Sequence, residues 1–194
     1  MKKIILTVFA ATSLLLYSTP SFALLSVSVG IPMSQAITGK IAGRSYGMAP
    51  DKTGGYFLGV SFLSFGLGID SYTTKFKTGT SCNGCWEAKY AAGLKTNMTN
   101  IFYQLPVPIV NLIIGLGTGT TEYVGTSEGK DFSAYFDKGS ASQWYTSIGI
   151  PIIPFFDIHL SYRSITSKNI KDKSDGEKTD NSGSVTGIGL AFNF

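Results

Sequence analysis

Along most of this chain apolar and polar residues alternate one for one, the period of strands whose two faces meet different surroundings. The first run, Leu25 to Ile31, sets Leu25, Val27, Val29 and Ile31 against Ser26, Ser28 and Gly30. Tyr56, Leu58, Val60 and Phe62 form the next apolar row; beyond a tight turn at Leu63 to Phe65, Leu67 and Ile69 oppose Gly68 and Asp70 in a strand ending near Lys77. A fourth segment, Lys89 to Leu105, has a mixed face on which Leu94, Met98 and Phe102 alternate with Thr96 and Asn100, predicting a bulge or a half-soluble extension. Val110, Leu112, Ile114 and Leu116 then oppose Asn111, Gly115, Gly117 and Gly119, and Trp144, Thr146, Ile148 and Ile150 oppose Gln143, Tyr145, Ser147 and Gly149. In the seventh segment Ile158, Leu160 and Tyr162 oppose Asp157, His159, Ser161 and Arg163, and in the last Ile188, Leu190, Phe192 and Phe194 oppose Gly187, Gly189, Ala191 and Asn193.

The connections alternate too. Three are short, at Leu63 to Phe65, "LPVPIV" and "PIIPFF", the last two with prolines that cannot donate to a ladder. Four are longer and polar: Met33–Gly55, Gly79–Glu87, Gly125–Ser142 and Lys168–Ser182. This rhythm predicts an all-β fold, an eight-stranded antiparallel up-and-down transmembrane β-barrel, or ten strands if the first loop holds a hairpin.

Composition decides which medium meets the apolar face. Charged residues are only 14% of the chain, against about 25% in average proteins. A soluble, lipocalin-like barrel would turn its apolar face inward, or else leave a core of Gly, Ser and Asn that is nearly empty. As the lumen of a membrane barrel the small-residue face is reasonable. Phe62, Phe65, Tyr103, Phe156 and Phe194 at one rim, and Tyr90, Trp144 and Tyr162 at the other, then supply interfacial girdles. Lys2, Lys3, the apolar run Ile4 to Leu16 and Ser21-Phe22-Ala23 read as an export signal, so residues 1–23 are expected to be removed and 24–194 to form one barrel domain. Lys2 and Lys3 account for half of the formal +4 charge. The remaining basic residues are scattered, without the cationic stripe of nucleic-acid binders.

The chain ends "GIGLAFNF", with Ile188, Leu190, Phe192 and the terminal Phe194 on one side. This resembles the C-terminal strand of bacterial outer-membrane β-barrels. The resemblance implies an outer-membrane location, monomeric insertion by the barrel-assembly machinery, and contact with outer-membrane lipid including lipopolysaccharide. The build is similar to the OmpX, OmpA-transmembrane and OmpW-like families. It implies a structural or surface-interaction role through the long loops, or a narrow channel for small or apolar molecules.

Four motifs could carry chemistry. Cys82 and Cys85 in "SCNGCWE" stand at a loop tip with no helix to activate a thiol, and export favours a disulfide between them. "GLGTGT", Gly115 to Thr120, lacks the Lys-Ser/Thr of a phosphate loop and lies in a strand. No metal site is expected with a single histidine, and no cofactor. "His159-Leu160-Ser161" resembles the His-x-Ser pair of lipid A deacylases, which implies a Ser-His-acid hydrolase. Tyr162 stands where that family has Asn, and the downstream acid is only Glu177, in a polar loop. That family's site faces lipid, whereas turning His159 outward here would carry Arg163 into hydrocarbon at roughly 2–4 kcal/mol. The residues favour an inward polar plug of Asp70, Lys95, Asp157, His159 and Arg163.

Overall fold

The computed structural model describes residues 24–38, 50–76, 92–107, 110–127, 130–153 and 155–194. The export signal, Cys82, Cys85 and Tyr90 lie outside the described residues, as does the loop Gly79–Glu87.

The alternating segments form eight long strands: β1 (Leu25–Ile37), β2 (Pro50–Phe62), β3 (Phe65–Phe76), β4 (Ala92–Val107), β5 (Val110–Ser127), β6 (Gly139–Ile153), β7 (Phe156–Thr166) and β8 (Gly183–Asn193). Each pairs antiparallel with its neighbours in sequence, and β8 returns to β1 to close the ring. Because β1 pairs directly with β2, no further hairpin can enter the ring, which settles eight strands rather than ten. Closure leaves no strand edge to associate. Parity holds throughout: Leu58, Val60, Leu67, Ile69, Ile148, Leu160, Ile188 and Phe192 are exposed on the outside, while Asp70, Asp157, His159 and Arg163 are buried inside.

Two expectations are corrected. β4 contains no bulge; it keeps continuous register with β3 and β5, and its mixed face, Leu94 to Phe102, is the buried lumenal face. The first and third loops are shorter than expected, because β1 reaches Ile37, β2 starts at Pro50, β5 runs to Ser127 and β6 starts at Gly139. On these upper segments the outward positions are Ser and Thr rather than Val and Leu: Ser34, Thr118, Thr120, Ser140, Ser142, Ser164 and Thr186. The hydropathy contrast fades there although the ladder does not.

The lumen is filled by a large-against-small pattern across neighbouring strands. A methyl on Gly66 would lie 2.0 Å from the Phe102 ring, one on Gly115 2.2 Å from Tyr145, and one on Gly149 2.5 Å from His159. The small face is therefore not an empty core; its glycines make room for the rings of Phe57, Phe102 and Tyr145. At the loop end, Phe76, Leu94, Tyr123 and Ile170 form an apolar cluster with Ile37, Ala92, Phe132 and Phe136 against it. Ile170 reaches it from the segment Lys168–Ser182, which sequence alone presents as a solvated loop. A ladder of Ile170–Lys171 with Lys178–Thr179 folds that segment back over the barrel.

Candidate functional site

Inward parity on β7 places Asp157, His159, Ser161 and Arg163 along one side of the lumen, about 7 Å apart in succession. Arg163 does the most work across the lumen. β3 is four strands from β7 in an eight-strand ring, so Asp70 faces Arg163 from the opposite wall. Arg163 Nε donates to Asp70 Oδ2 at 3.0 Å and Nη2 to Oδ1 at 3.4 Å, while Nη1 donates to Ser161 Oγ at 2.6 Å. Gln143 Nε2, from β6, donates to Asp70 Oδ2 and to Asn100 Oδ1, both at 2.6 Å. The guanidinium lies 3.5 Å from the Phe57 ring centroid and 4.8 Å from that of Tyr145. Such stacking suits the weakly hydrated, planar Arg better than Lys. A charge pair this buried depends on satisfying its remaining polar groups: Asp70 accepts from both Arg163 and Gln143, whereas Gln143 Oε1 is buried without a partner.

A second cluster lies nearer the short turns. Asn193 Nδ2 donates to Asp157 Oδ2 at 2.8 Å, and Asn111 Nδ2 donates to the same oxygen. His159 Nε2 stands 3.7 Å from Asp157 Oδ2 and has no hydrogen-bond partner of its own. Its Nδ1 is 3.2 Å from Ser147 Oγ, not Ser161. The Asp-His-Ser order of a hydrolase is thus present with Ser147, but its chemistry is turned the wrong way. Ser147 Oγ donates to the Leu160 carbonyl at 3.2 Å, so Nδ1 meets the hydroxyl oxygen rather than its proton. The cavity beside these residues is about 50 Å³, space for one or two waters and not for an ester substrate.

Of the five residues expected to form a plug, Asp70 with Arg163 and Asp157 with His159 come together in two layers. Lys95 does not join them: it has outward parity and its Nζ lies 3.9 Å from Glu122, whose other oxygen is 2.9 Å from Lys138. Gln143, Asn100, Asn111, Asn193 and Ser147 complete the layers and are absent from the expected set. Alternation sets them on the same face as the plug; which depth each occupies depends on strand register, which no single segment encodes.

The eight-strand ring, apolar outside and polar inside, is the architecture of the small outer-membrane β-barrels. Solved structures agree on the fold. Neisserial surface protein A superposes with a TM-score of 0.58 at 11% identity, over 88% of this chain and 96% of that one. Outer membrane protein W of E. coli gives 0.53 at 12% identity, over 89% and 98%. No family model and no curated protein matches the chain.

Proposed function

We propose that this chain is an outer-membrane barrel with a closed lumen, which works through its loop-side surface rather than as a pore or an enzyme. The observation that carries this is the Arg163–Asp70 bridge, which joins opposite walls at mid-lumen and is flanked by Phe57 and Tyr145. Above it the cluster around Ile170 covers the loop end. The exposed aliphatic surface, including Leu67 and Leu116, supports immersion in hydrocarbon, because water would leave it as one continuous apolar patch.

Planar-bilayer recording tests the closed lumen: the wild-type chain should give no sustained conductance, and steady ion currents would overturn the reading. A hydrolase reading has one observation in its favour, the His159–Ser147 contact. It predicts altered lipid A acylation that depends on His159. We expect cells expressing wild type and His159→Ala to have the same lipid A acyl composition; a His159-dependent loss of acyl chains would reinstate the enzyme.

A further inference from the structure

Among the described residues two carboxylates are buried in the lumen, Asp70 and Asp157, and only one of them has a fixed cation. Asp70 is held by Arg163, whereas no lysine or arginine nitrogen lies within 4.0 Å of Asp157 among the described residues. A buried carboxylate left in that state is costly. Its one ionisable neighbour is His159, whose tautomer is set from the far side of the ring. Ser147 Oγ gives its proton to the Leu160 carbonyl, so His159 Nδ1 carries the ring hydrogen and donates to Oγ at 3.2 Å. Nε2 is then the lone-pair nitrogen, in a side chain 6% exposed, without a hydrogen-bond partner and 3.7 Å from Asp157 Oδ2. Two lone pairs so placed repel each other unless a cation joins them. Metal-binding histidines are arranged in this way, with one ring N–H donated to a fixed acceptor and the other nitrogen free.

The spacing suits such an ion. Two ligands each about 2.1 Å from a zinc-like ion stand roughly 3.4–3.7 Å apart at angles of about 110–125°. Asn193 supplies a third ligand: its Oδ1 is buried and unpartnered, and its Nδ2 lies 2.8 Å from Asp157 Oδ2. A half-turn of that amide brings Oδ1 beside the carboxylate. Asn111 continues to donate to Asp157 and orients it. The cavity of about 50 Å³ lined by Ser147, His159 and Ser161 has room for water as a fourth ligand. Gly149, opposite His159 in the β6–β7 ladder, keeps Nε2 accessible, since a methyl there would lie 2.6 Å from it. An ion can enter from the short-turn end, where Asn111 is half-buried at the second residue of β5 and Asn193 ends β8.

We propose that Asp157, His159 and Asn193 bind one divalent transition-metal ion of the zinc or copper kind at the short-turn end of the lumen. The imidazole nitrogen favours this class over magnesium and calcium, which take oxygen shells. The site departs from the expectation drawn from a single histidine, because two oxygen ligands and water take the places that further histidines would fill. The bound ion ties β7 to β8, the strand whose pairing with β1 closes the ring.

The test uses the full barrel in phosphatidylcholine vesicles, without a histidine tag and with Cys82→Ser and Cys85→Ser to remove competing thiolates. It should take up one equivalent of Cu²⁺, and electron spin-echo spectra should show the remote nitrogen of one imidazole. His159→Asn should lose that signal and weaken copper binding roughly tenfold or more. Asp157→Asn should weaken binding comparably yet keep the signal, and Asp172→Asn at the loop end should change neither. Zn²⁺ should raise the unfolding temperature of the parent barrel but not of His159→Asn, and Mg²⁺ should shift neither. A parent spectrum without imidazole coupling overturns the site by itself, whatever the variants do. So does copper uptake that His159→Asn leaves unchanged, which would mark a surface carboxylate, or a protonated Nε2 in ¹⁵N spectra at saturating zinc. None of these readouts depends on whether the lumen conducts.

Discussion

Arg163 shows how one side chain is held by chemistry from four other strands. Its carboxylate partner is on β3, Gln143 of β6 and Asn100 of β4 extend the network, and rings from β2 and β6 flank the guanidinium. Arg163→Ala would leave Asp70 buried without its cation. Removing one partner of a buried pair costs about 3–5 kcal/mol, so urea unfolding in lipid vesicles should show a loss of that order. Asp70→Asn with Arg163→Met should recover most of it, because an amide and a thioether leave no isolated charge. Gly115 tests the packing half of the same layer. A methyl there lies 2.2 Å from the Tyr145 ring, and Gly115→Ala should destabilise by roughly 1–3 kcal/mol. Combining it with Tyr145→Leu should restore part of the loss; an additive penalty would show that the ring is not the obstacle.

At the scale of the strand and its turn, the connection from β2 to β3 is a two-residue turn, with Leu63 at φ 49° and Ser64 at φ 72°. Two positive φ values in a two-residue hairpin define the turn that Asn-Gly fills most readily. Neither Leu nor Ser is suited to it, and the left-handed region costs an ordinary residue on the order of 1 kcal/mol. Leu63→Asn with Ser64→Gly should therefore raise the urea midpoint in vesicles, and a fall would show that the exposed Leu63 contributes more through lipid contact than it loses in backbone strain. The sequence hid this turn's geometry because its residues are apolar, although the alternating rows on either side located it to within a residue. The strand faces are equally legible: alternation sets Asp70, Asp157, His159 and Arg163 opposite the aliphatic rows, composition turns that face inward, and the structure buries all four. An inward Lys95 runs against its own strand's parity, which Leu94 and Thr96 beside it define. Strand ends were not legible where Ser and Thr replace aliphatic residues on the outer face, since alternation of hydropathy vanishes while pairing continues. The partner of His159 was hidden for another reason: Ser147 is opposite Ser161 across β6–β7, a relation set by register between strands.

For the whole molecule, strand length and outer surface together fix how deep the barrel sits. β5 has 18 residues and β4 has 16, whereas a tilted strand crosses hydrocarbon in about 9–11. The excess is all at the loop end. On β6 the outward row is Ile152, Ile150, Ile148, Thr146 and Trp144, then Ser142 and Ser140. Ile152 to Trp144 covers about 27 Å of strand, or roughly 21 Å of depth at a tilt near 40°, close to the apolar band of about 25 Å that such barrels present. The Trp144 and Tyr162 rings lie 5.8 Å apart, tilted by 52°, and this pair marks the upper boundary, as interfacial aromatics do. Everything above it, including Ser140 and Thr120, stands in the headgroup zone or beyond, with the cap around Ile170. Single cysteines placed at Ile148 and Ser140, in a chain with Cys82 and Cys85 replaced by Ser, test this depth directly. A polarity-sensitive fluorophore at Ile148 should emit to the blue and be quenched by lipids brominated on their acyl chains. At Ser140 it should emit to the red and be quenched by iodide from water. If both sites report hydrocarbon, the hydroxyl belt lies inside the membrane, and the boundary drawn at Trp144 and Tyr162 is wrong.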